Sequence, residues 1–447
     1  MLGEYRIEGR RAAEIAAGVE AAVGRGDLEP GELLPPMREL AKQLGVNPNT
    51  VASAYRTLRE RGVIETAGRR GSRVRFRPAS TARDAIRIEV PAGVRDVSLG
   101  NPDPALLPSF VGAFTAAAAR NDRRPVMYGE AALDPELDAC VRAAFDEDGI
   151  PAGPLAVTSG ALDAIERVLT ARLRPGDAVA VEDPGWSSPL DLIPALGMRP
   201  VPMAVDDEGP RPEAVERALR EGARAVLVTN RAQNPTGAAL SAARARTLRE
   251  ILAAHPSVLL VEDDHGHGIV DLPLHLLTEG EGSWVLIRSF AKAYGPDLRI
   301  AVLTGDALTV DRVLGRQRLG PGWVSRIMQR AVAELLTSGA LVPAEVAAAY
   351  ARRRDALVTA LERRGVAASG RSGMNVWVPV ADETGAVTRL LQSGWAVAPG
   401  ARFRIGAGPG VRITVSPLTL ADIEPLAEAV AYAVSGGRGR EGRTRAT

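Results

Sequence analysis

Six short apolar runs, residues 155–158, 178–181, 225–229, 258–261, 284–287 and 300–303, alternate with helical stretches. No other feature of the chain constrains its fold as strongly. Strands separated by helices re-enter a sheet in the same direction, and helices must then cover both faces of that sheet. The alternation therefore predicts a large α/β domain on a mostly parallel sheet. Ligands of such sheets lie outside the carboxyl ends of the strands, so the segments that leave those ends are the first place to look for chemistry. Beyond about residue 340, a long helix, the strands of "MNVWVPV" and "VRITVS", and a closing amphipathic helix predict a smaller α+β lobe.

The first part of the chain reads differently. "AAEIAAGVEAAV" places Ile15, Val19 and Val23 at helical spacing and is stopped by Gly24 and Gly26. "PPMRELAKQLGV" predicts a short helix with Leu40 and Leu44 inward and Gly45 as its left-handed terminator. "NPNTVASAYRTLRERG" opens with Asn47 as N-cap and Pro48 at the first helical position. Its Val51, Ala54, Tyr55 and Leu58 share one face, which points Asn49, Thr50, Ser53 and Arg56 outward. "VIETAGRRGSRVRF" alternates like a hairpin around Gly68-Arg69-Arg70-Gly71. Helix, helix, four-residue turn, helix, hairpin is the order of a winged helix-turn-helix. Eight arginines lie between residues 48 and 77 against Glu60 and Glu65, so a chain of formal charge +1 carries a locally basic face. Short polar donors beside arginines suit base edges and phosphates of double-stranded DNA. A solvated face in a protein-interaction module is the alternative for each residue taken singly. Residues 79–96 mix Pro, Ser, Thr and Ala without a period, as a linker does, and the Arg/Gly-rich residues 436–447 have a disordered composition.

A single cysteine, Cys140, excludes an intramolecular disulfide, and no Cys/His cluster has zinc spacing. The start of the chain lacks an apolar signal core and no apolar run reaches membrane-spanning length, so the expectation is a cytoplasmic protein without a bound metal.

Of the 55 Lys plus Arg, only Lys42 and Lys292 are lysine. Arginine serves salt bridges and phosphates equally well, but it cannot form an imine. Lys292 follows the strand at 284–287, which puts it at a carboxyl end, although a surface lysine is an equally simple reading of the count alone. Other marked segments share that placement. "VTSGALDAIERVL" runs from strand to Ser159-Gly160-Ala161 to helix, offering backbone N–H groups to a phosphate. "LVTNRAQNPTG" carries Asn234, "LLVEDDHGHG" carries Glu262, Asp263 and Asp264, and "VEDPGWSSP" carries Trp186. Arg299 adds a cation seven residues past Lys292. Each segment alone is an ordinary turn, cap or magnesium-type carboxylate cluster. Together, a lysine, an anion-binding helix end, a carboxylate, an amide and a flat aromatic describe a pyridoxal 5'-phosphate site.

These motifs carry a resemblance at both ends of the chain. "LPPMRELAKQLGVNPNTVASAYRTLRERGVIETAGRRGSRV" resembles the winged helix of GntR-type repressors. That resemblance implies phosphate contact for Arg38, DNA contact for Asn49 and Thr50, and a wing tip over residues 68–71 with Arg69 and Arg70. Residues 97–435 resemble fold type I aminotransferases of class I/II. By that resemblance Lys292 takes the Schiff-base position, Asp263 the pyridine-nitrogen position and Asn234 the ring-oxygen position. Gly160, Ala161, Ser289 and Arg299 match the phosphate cup, and Trp186 the stacking aromatic. Tyr128 matches a tyrosine that reaches the neighbouring subunit's phosphate, which implies a homodimer, and Arg412 an arginine that grips a substrate carboxylate. The fusion, with residues 1–78 as the DNA-binding domain, is similar to the MocR/GabR regulators. "GPDLRIAV", "MNVWVPV" and "VRITVS" look most like the PtsJ-like subgroup, linked to vitamin B6 metabolism. His265 stands where a tyrosine commonly supports the ring hydroxyl, Ser188 where GabR-like members carry arginine, and Ala291 where a phosphate-contacting serine is frequent.

The resemblance implies a regulator that senses pyridoxal phosphate, or an amino compound captured on it, through Lys292. A working aminotransferase with an appended DNA-binding module is the rival reading, and a vestigial pocket that only holds a dimer is the third.

Overall fold

A computed structural model of the chain describes residues 7–25, 27–29, 31–60, 63–66, 71–74, 83, 86 and 89–436. They fall into two compact units, one containing the N-terminal residues and a larger one containing most of the remainder.

In the N-terminal unit, helices Ala12–Arg25, Met37–Leu44 and Pro48–Glu60 precede antiparallel strands Ile64–Thr66 and Ser72–Val74. The expected apolar faces meet in one core, where Ile15, Val19, Leu40, Val51, Ala54, Tyr55 and Leu58 are buried together. The first helix runs through Gly24 and ends at Arg25, the residue before Gly26; one glycine inside a helix costs only about 1 kcal/mol. Gly45 closes the second helix with a left-handed φ of 64°. Asn47 caps the third, its Oδ1 accepting the Asn49 N–H at 2.8 Å. The Tyr55 hydroxyl donates to the Pro35 carbonyl at 2.8 Å, which ties the third helix to the chain entering the second.

The larger unit is built on eight strands in the spatial order Leu155–Thr158, Ala301–Gly305, Ser283–Ser289, Leu259–Asp264, Ala223–Thr229, Ala178–Asp183, Arg199–Asp206 and Gly209–Pro210. Ser283–Ser289, Leu259–Asp264, Ala223–Thr229 and Ala178–Asp183 run parallel in succession. Ala301–Gly305 is antiparallel to both of its neighbours. Leu259–Asp264 and Ala178–Asp183 are buried along their whole length, as strands covered on both faces must be. Register matters more than count here. Asp263 lies opposite Thr229 on one side and Ile287 on the other, so the loops leaving these three strands open on the same edge of the sheet.

The smaller lobe holds the long helix Pro343–Glu362, the antiparallel strands Asn375–Pro379, Gly410–Thr414 and Ala398–Pro399, and the closing helix Ile423–Val434. The stretch expected as a linker makes contacts of its own within this unit. Arg95–Asp96 pairs in parallel with Trp395–Ala396, Arg95 forms an ion pair with Asp422, and Arg83 reaches two carbonyls near residue 400. Backbone pairing of two residues leaves no period in a sequence, so this anchoring is silent in the composition. Among the described residues no helix is long and apolar enough to cross a membrane.

Candidate functional site

The loops on the carboxyl edge of the sheet enclose a cavity of about 270 Å³, lined among others by Gly160, Ala161, Trp186, Asn234, His265, Ser289, Lys292 and Arg299. Eight of the ten cofactor-site residues expected from sequence thus meet in one place. Lys292 stands on the single helical turn Ala291–Tyr294, immediately beyond the strand Ser283–Ser289. Its Nζ donates to the Gly100 carbonyl at 2.5 Å, which holds the amine in the cavity on a chain that enters the large unit more than 190 residues earlier.

The run Glu262-Asp263-Asp264 is sorted by its partners. Glu262 accepts from the N–H groups of Leu277 (2.9 Å) and Thr278 (2.8 Å) and from Asn230 Nδ2 (2.5 Å). Asp264 is paired with Arg231 at 2.8 Å and Arg288 at 2.9 Å. Burial opposes its charge, but the two guanidinium groups hold it well below the usual carboxylate range. Both are structural groups with their oxygens engaged. Asp263 is different: it is buried, its Oδ2 lies 3.0 Å from His265 Nδ1, and its Oδ1 has no hydrogen-bond partner. A buried carboxylate oxygen left without a donor costs free energy, so this one is suited to receive an N–H from a ligand.

His265 does not stand free to support a ring hydroxyl. Its Nε2 lies 2.7 Å from the Ala232 carbonyl and its Nδ1 3.0 Å from Asp263 Oδ2, so both ring nitrogens face acceptors. Burial pulls the imidazole down, but the charge and hydrogen bond of Asp263 outweigh it and raise the group above its ordinary value. The contact fixes the direction of the Asp263 carboxylate. Ala232, whose carbonyl His265 meets, has a left-handed φ of 57°.

The opposite end of the cavity is built for an anion. Gly160 caps the helix Ala161–Arg172, whose first N–H groups open toward the cavity walls formed by Gly160, Ala161 and Leu162. Arg299 donates to the Ser159 carbonyl at 2.9 Å, and a Cβ at Gly160 would sit 2.8 Å from its Nη2. With φ at 100°, that position takes glycine on both counts. Ser289 accepts the Ala291 N–H at 3.3 Å, which leaves its hydroxyl proton available.

Arg412 and Tyr128 are placed elsewhere. Arg412 does not line the cavity. Its guanidinium donates to Asn234 Oδ1 at 3.1 Å and to the Ser98 carbonyl, and lies 4.8 Å from the Phe403 ring centre. Asn234 Oδ1 being occupied, its amide N–H groups are the ones left for a ligand. Tyr128 is 91% exposed and rests edge-on against Trp323 at 5.6 Å. The sequence reading missed Gly100 and Ala232, whose contributions are carbonyls and carry no residue-type signal. It also missed Glu182, which accepts from the Thr229 N–H and Gln233 Nε2, both at 3.2 Å, and which burial pushes up to about 7.

In the N-terminal unit Arg38, Asn49 and Arg56 are exposed, and Thr50 and Ser53 are half-buried on the same helix. Arg73 is ion-paired with Glu65, so one of the eight arginines is partly neutralised. Arg69 and Arg70 lie outside the described residues.

A cavity with one lysine and an anion-binding end, beside a buried carboxylate at the carboxyl edge of such a sheet, defines the pyridoxal-phosphate proteins of fold type I. Residues 101–430 match the family described as aminotransferase class I and II, and residues 11–74 match the gntR family of bacterial regulatory proteins. The chain belongs to the MocR-type regulators, in which a GntR-type winged helix precedes a pyridoxal-phosphate-binding aminotransferase domain. It is 39% identical over 435 residues to the vitamin B6 salvage pathway transcriptional repressor PtsJ of Salmonella typhimurium, covering 96% of this chain and 100% of that one. It is 31% identical to the pyridoxine biosynthesis regulator PdxR of Corynebacterium glutamicum, covering 72% of each. The alpha-aminoadipate aminotransferase LysN of Thermus thermophilus, solved with N-(5'-phosphopyridoxyl)-L-leucine, shares the fold. It has a TM-score of 0.67 at 23% identity, over 80% of this chain and 95% of that one.

Proposed function

We propose that the chain is a cytoplasmic, homodimeric regulator of vitamin B6 metabolism whose large domain, residues 97–435, senses pyridoxal 5'-phosphate. Residues 1–78 would read the operator. The observation that carries this reading is the meeting of Lys292 and the Gly160–Arg299 anion site around one cavity, with the buried Asp263, one oxygen unpartnered, bonded to the cavity-lining His265. The likeness to PtsJ over nearly the whole chain supports the metabolic assignment.

The residues fit the cofactor. Lys292 would hold it covalently, Asp263 would accept its ring N–H, Asn234 would donate to its ring oxygen and Trp186 would stack on its face. The Gly160 and Ala161 backbone, Ser289 and Arg299 would bind its phosphate. Bound there, the cofactor supplies an electrophilic carbon that condenses with primary amines and a ring that draws off electrons. His265, bound between Asp263 and the Ala232 carbonyl, holds the Asp263 carboxylate in place. Arg412 keeps the Asn234 amide turned toward the cavity. The exposure of Tyr128 and Met127 supports cover by a second copy, whose phosphate Tyr128 would then serve.

A turning-over aminotransferase is the second reading. On the cavity wall, Ser188 stands where GabR-like members carry arginine and Ala291 where a phosphate-contacting serine is frequent, and this loss of polar groups favours sensing over turnover. Operator affinity measured with and without added cofactor tests the proposal. The expected result is a cofactor-dependent affinity in wild type that Lys292→Ala loses. Equal affinities in wild type, together with steady release of a keto product from amino acids, would establish the enzyme instead.

A further inference from the structure

The strand Ala178–Asp183 brings more to the site than the turn that carries Trp186. Its last residue, Asp183, is buried, and its carboxylate receives three successive backbone N–H groups from the small lobe. Ile405 donates to Oδ1, and Gly406 and Ala407 donate to Oδ2, each at 2.8 Å. Hydrogen bonds to a charged acceptor are roughly twice as strong as neutral ones, so three on one carboxylate hold a loop firmly. Two residues further on, the Gly185 N–H donates to the Phe403 carbonyl at 2.7 Å. Residues 403–407 are therefore fastened at four points to the turn that ends in Trp186.

The same segment touches three other parts of the unit. The buried ring of Phe403 lies beneath the Arg412 guanidinium, which in turn holds Asn234. Glu383 accepts the Ala401 N–H at 2.8 Å and pairs with Arg404 at 3.3 Å. Arg83, from the stretch that joins the two modules in sequence, donates to the carbonyls of Arg404 at 2.8 Å and Ala401 at 3.3 Å. One guanidinium bridging two carbonyls of one turn moves with that turn. No motif in the sequence marks any of these contacts.

We propose that residues 400–407 form a strap by which Asp183 positions Trp186 at the cofactor cavity and Arg412 behind Asn234, and by which Arg83 passes occupancy of that cavity to the linker. Asp183 and Arg83 are positioning residues, since neither lines the cavity. The idea rests on the sensing function above, because it supplies the route by which sensing reaches the DNA-binding module. A filled cavity presses on Trp186 and Asn234, and both are tied to the strap.

The test uses the full-length chain and pyridoxal 5'-phosphate as probe. Arg83→Ala should bind cofactor within about two-fold of wild type. The cofactor-induced change in operator affinity, at least about five-fold in wild type, should shrink to within about two-fold of unity. Asp183→Asn should instead weaken cofactor binding and speed amide exchange at residues 405–407. An Arg83→Ala protein that keeps the full cofactor effect on DNA overturns the strap. A wild type whose operator affinity ignores the cofactor defeats the sensing function, and hydrogen exchange then judges the strap separately. Cofactor should slow exchange at residues 400–407 and 83–97 in wild type, and only at 400–407 in Arg83→Ala. Unchanged exchange at 83–97 in wild type overturns the strap.

Discussion

At the scale of single residues, chemistry here is divided by partners more than by residue type. Asp263 and Asp264 are neighbours on one strand, yet Asp264 is closed by two guanidinium groups while Asp263 keeps one oxygen open. Lys292→Ala should abolish the borohydride-stabilised cofactor adduct on the peptide containing residue 292, with mass spectrometry as the check; an adduct on Lys42 would refute the assignment. The His265–Asp263 couple gives a pH signature in the cofactor-free protein. The folded-state value of His265 is raised above 6.5, so its stabilisation is complete below that pH and disappears as pH rises through the native value. Thermal midpoints of wild type and Asp263→Asn should therefore lie furthest apart below pH 6.5 and converge as pH rises through the native value of His265. A gap that widens with pH would mean that His265 is held neutral.

At the scale of elements, the anion site is a helix end whose entry only glycine allows. Gly160→Ala puts a Cβ 2.8 Å from the Arg299 guanidinium at a φ of 100°. A non-glycine residue in such a conformation costs about 1–3 kcal/mol, to be read by chemical denaturation. Cofactor affinity should fall in the same variant, since Arg299 must move to admit the methyl group. In the winged helix, Arg38→Ala should weaken binding to all DNA sequences alike and lower the log–log salt slope by about one. Asn49→Ala or Thr50→Ala should relax sequence choice with the slope nearly unchanged. A slope unaffected by Arg38→Ala would remove it from the phosphate contacts.

At the scale of the whole molecule, the exposed Tyr128, edge-on against the half-buried Trp323, is the surface that the proposed second copy would cover. Two winged helices then read two half-sites, which a single small module cannot hold as tightly. Sedimentation should give a dimer at micromolar concentration, and a monomer would refute it. Tyr128→Ala should lower cofactor affinity while leaving the fold of each chain intact, because the side chain is absent from its own subunit's cavity.

The strand–helix alternation, the helix caps and the spacing of apolar residues determined the two modules, since each is a local pattern read along the chain. Asn47 as cap, Gly45 as terminator and the inward face of Pro48–Glu60 follow from such patterns alone. The scarcity of lysine marked Lys292 without any structure. Tertiary structure decided what depends on residues far apart in sequence: that Gly100 holds the Lys292 amine, that Asp263 and not Asp264 keeps an open oxygen, and that His265 is spent on Asp263. It also decided that Arg83 is fastened to residues more than 300 positions away. Carbonyls, registers and ion-pair partners have no signature in residue type, so only the folded chain could assign them.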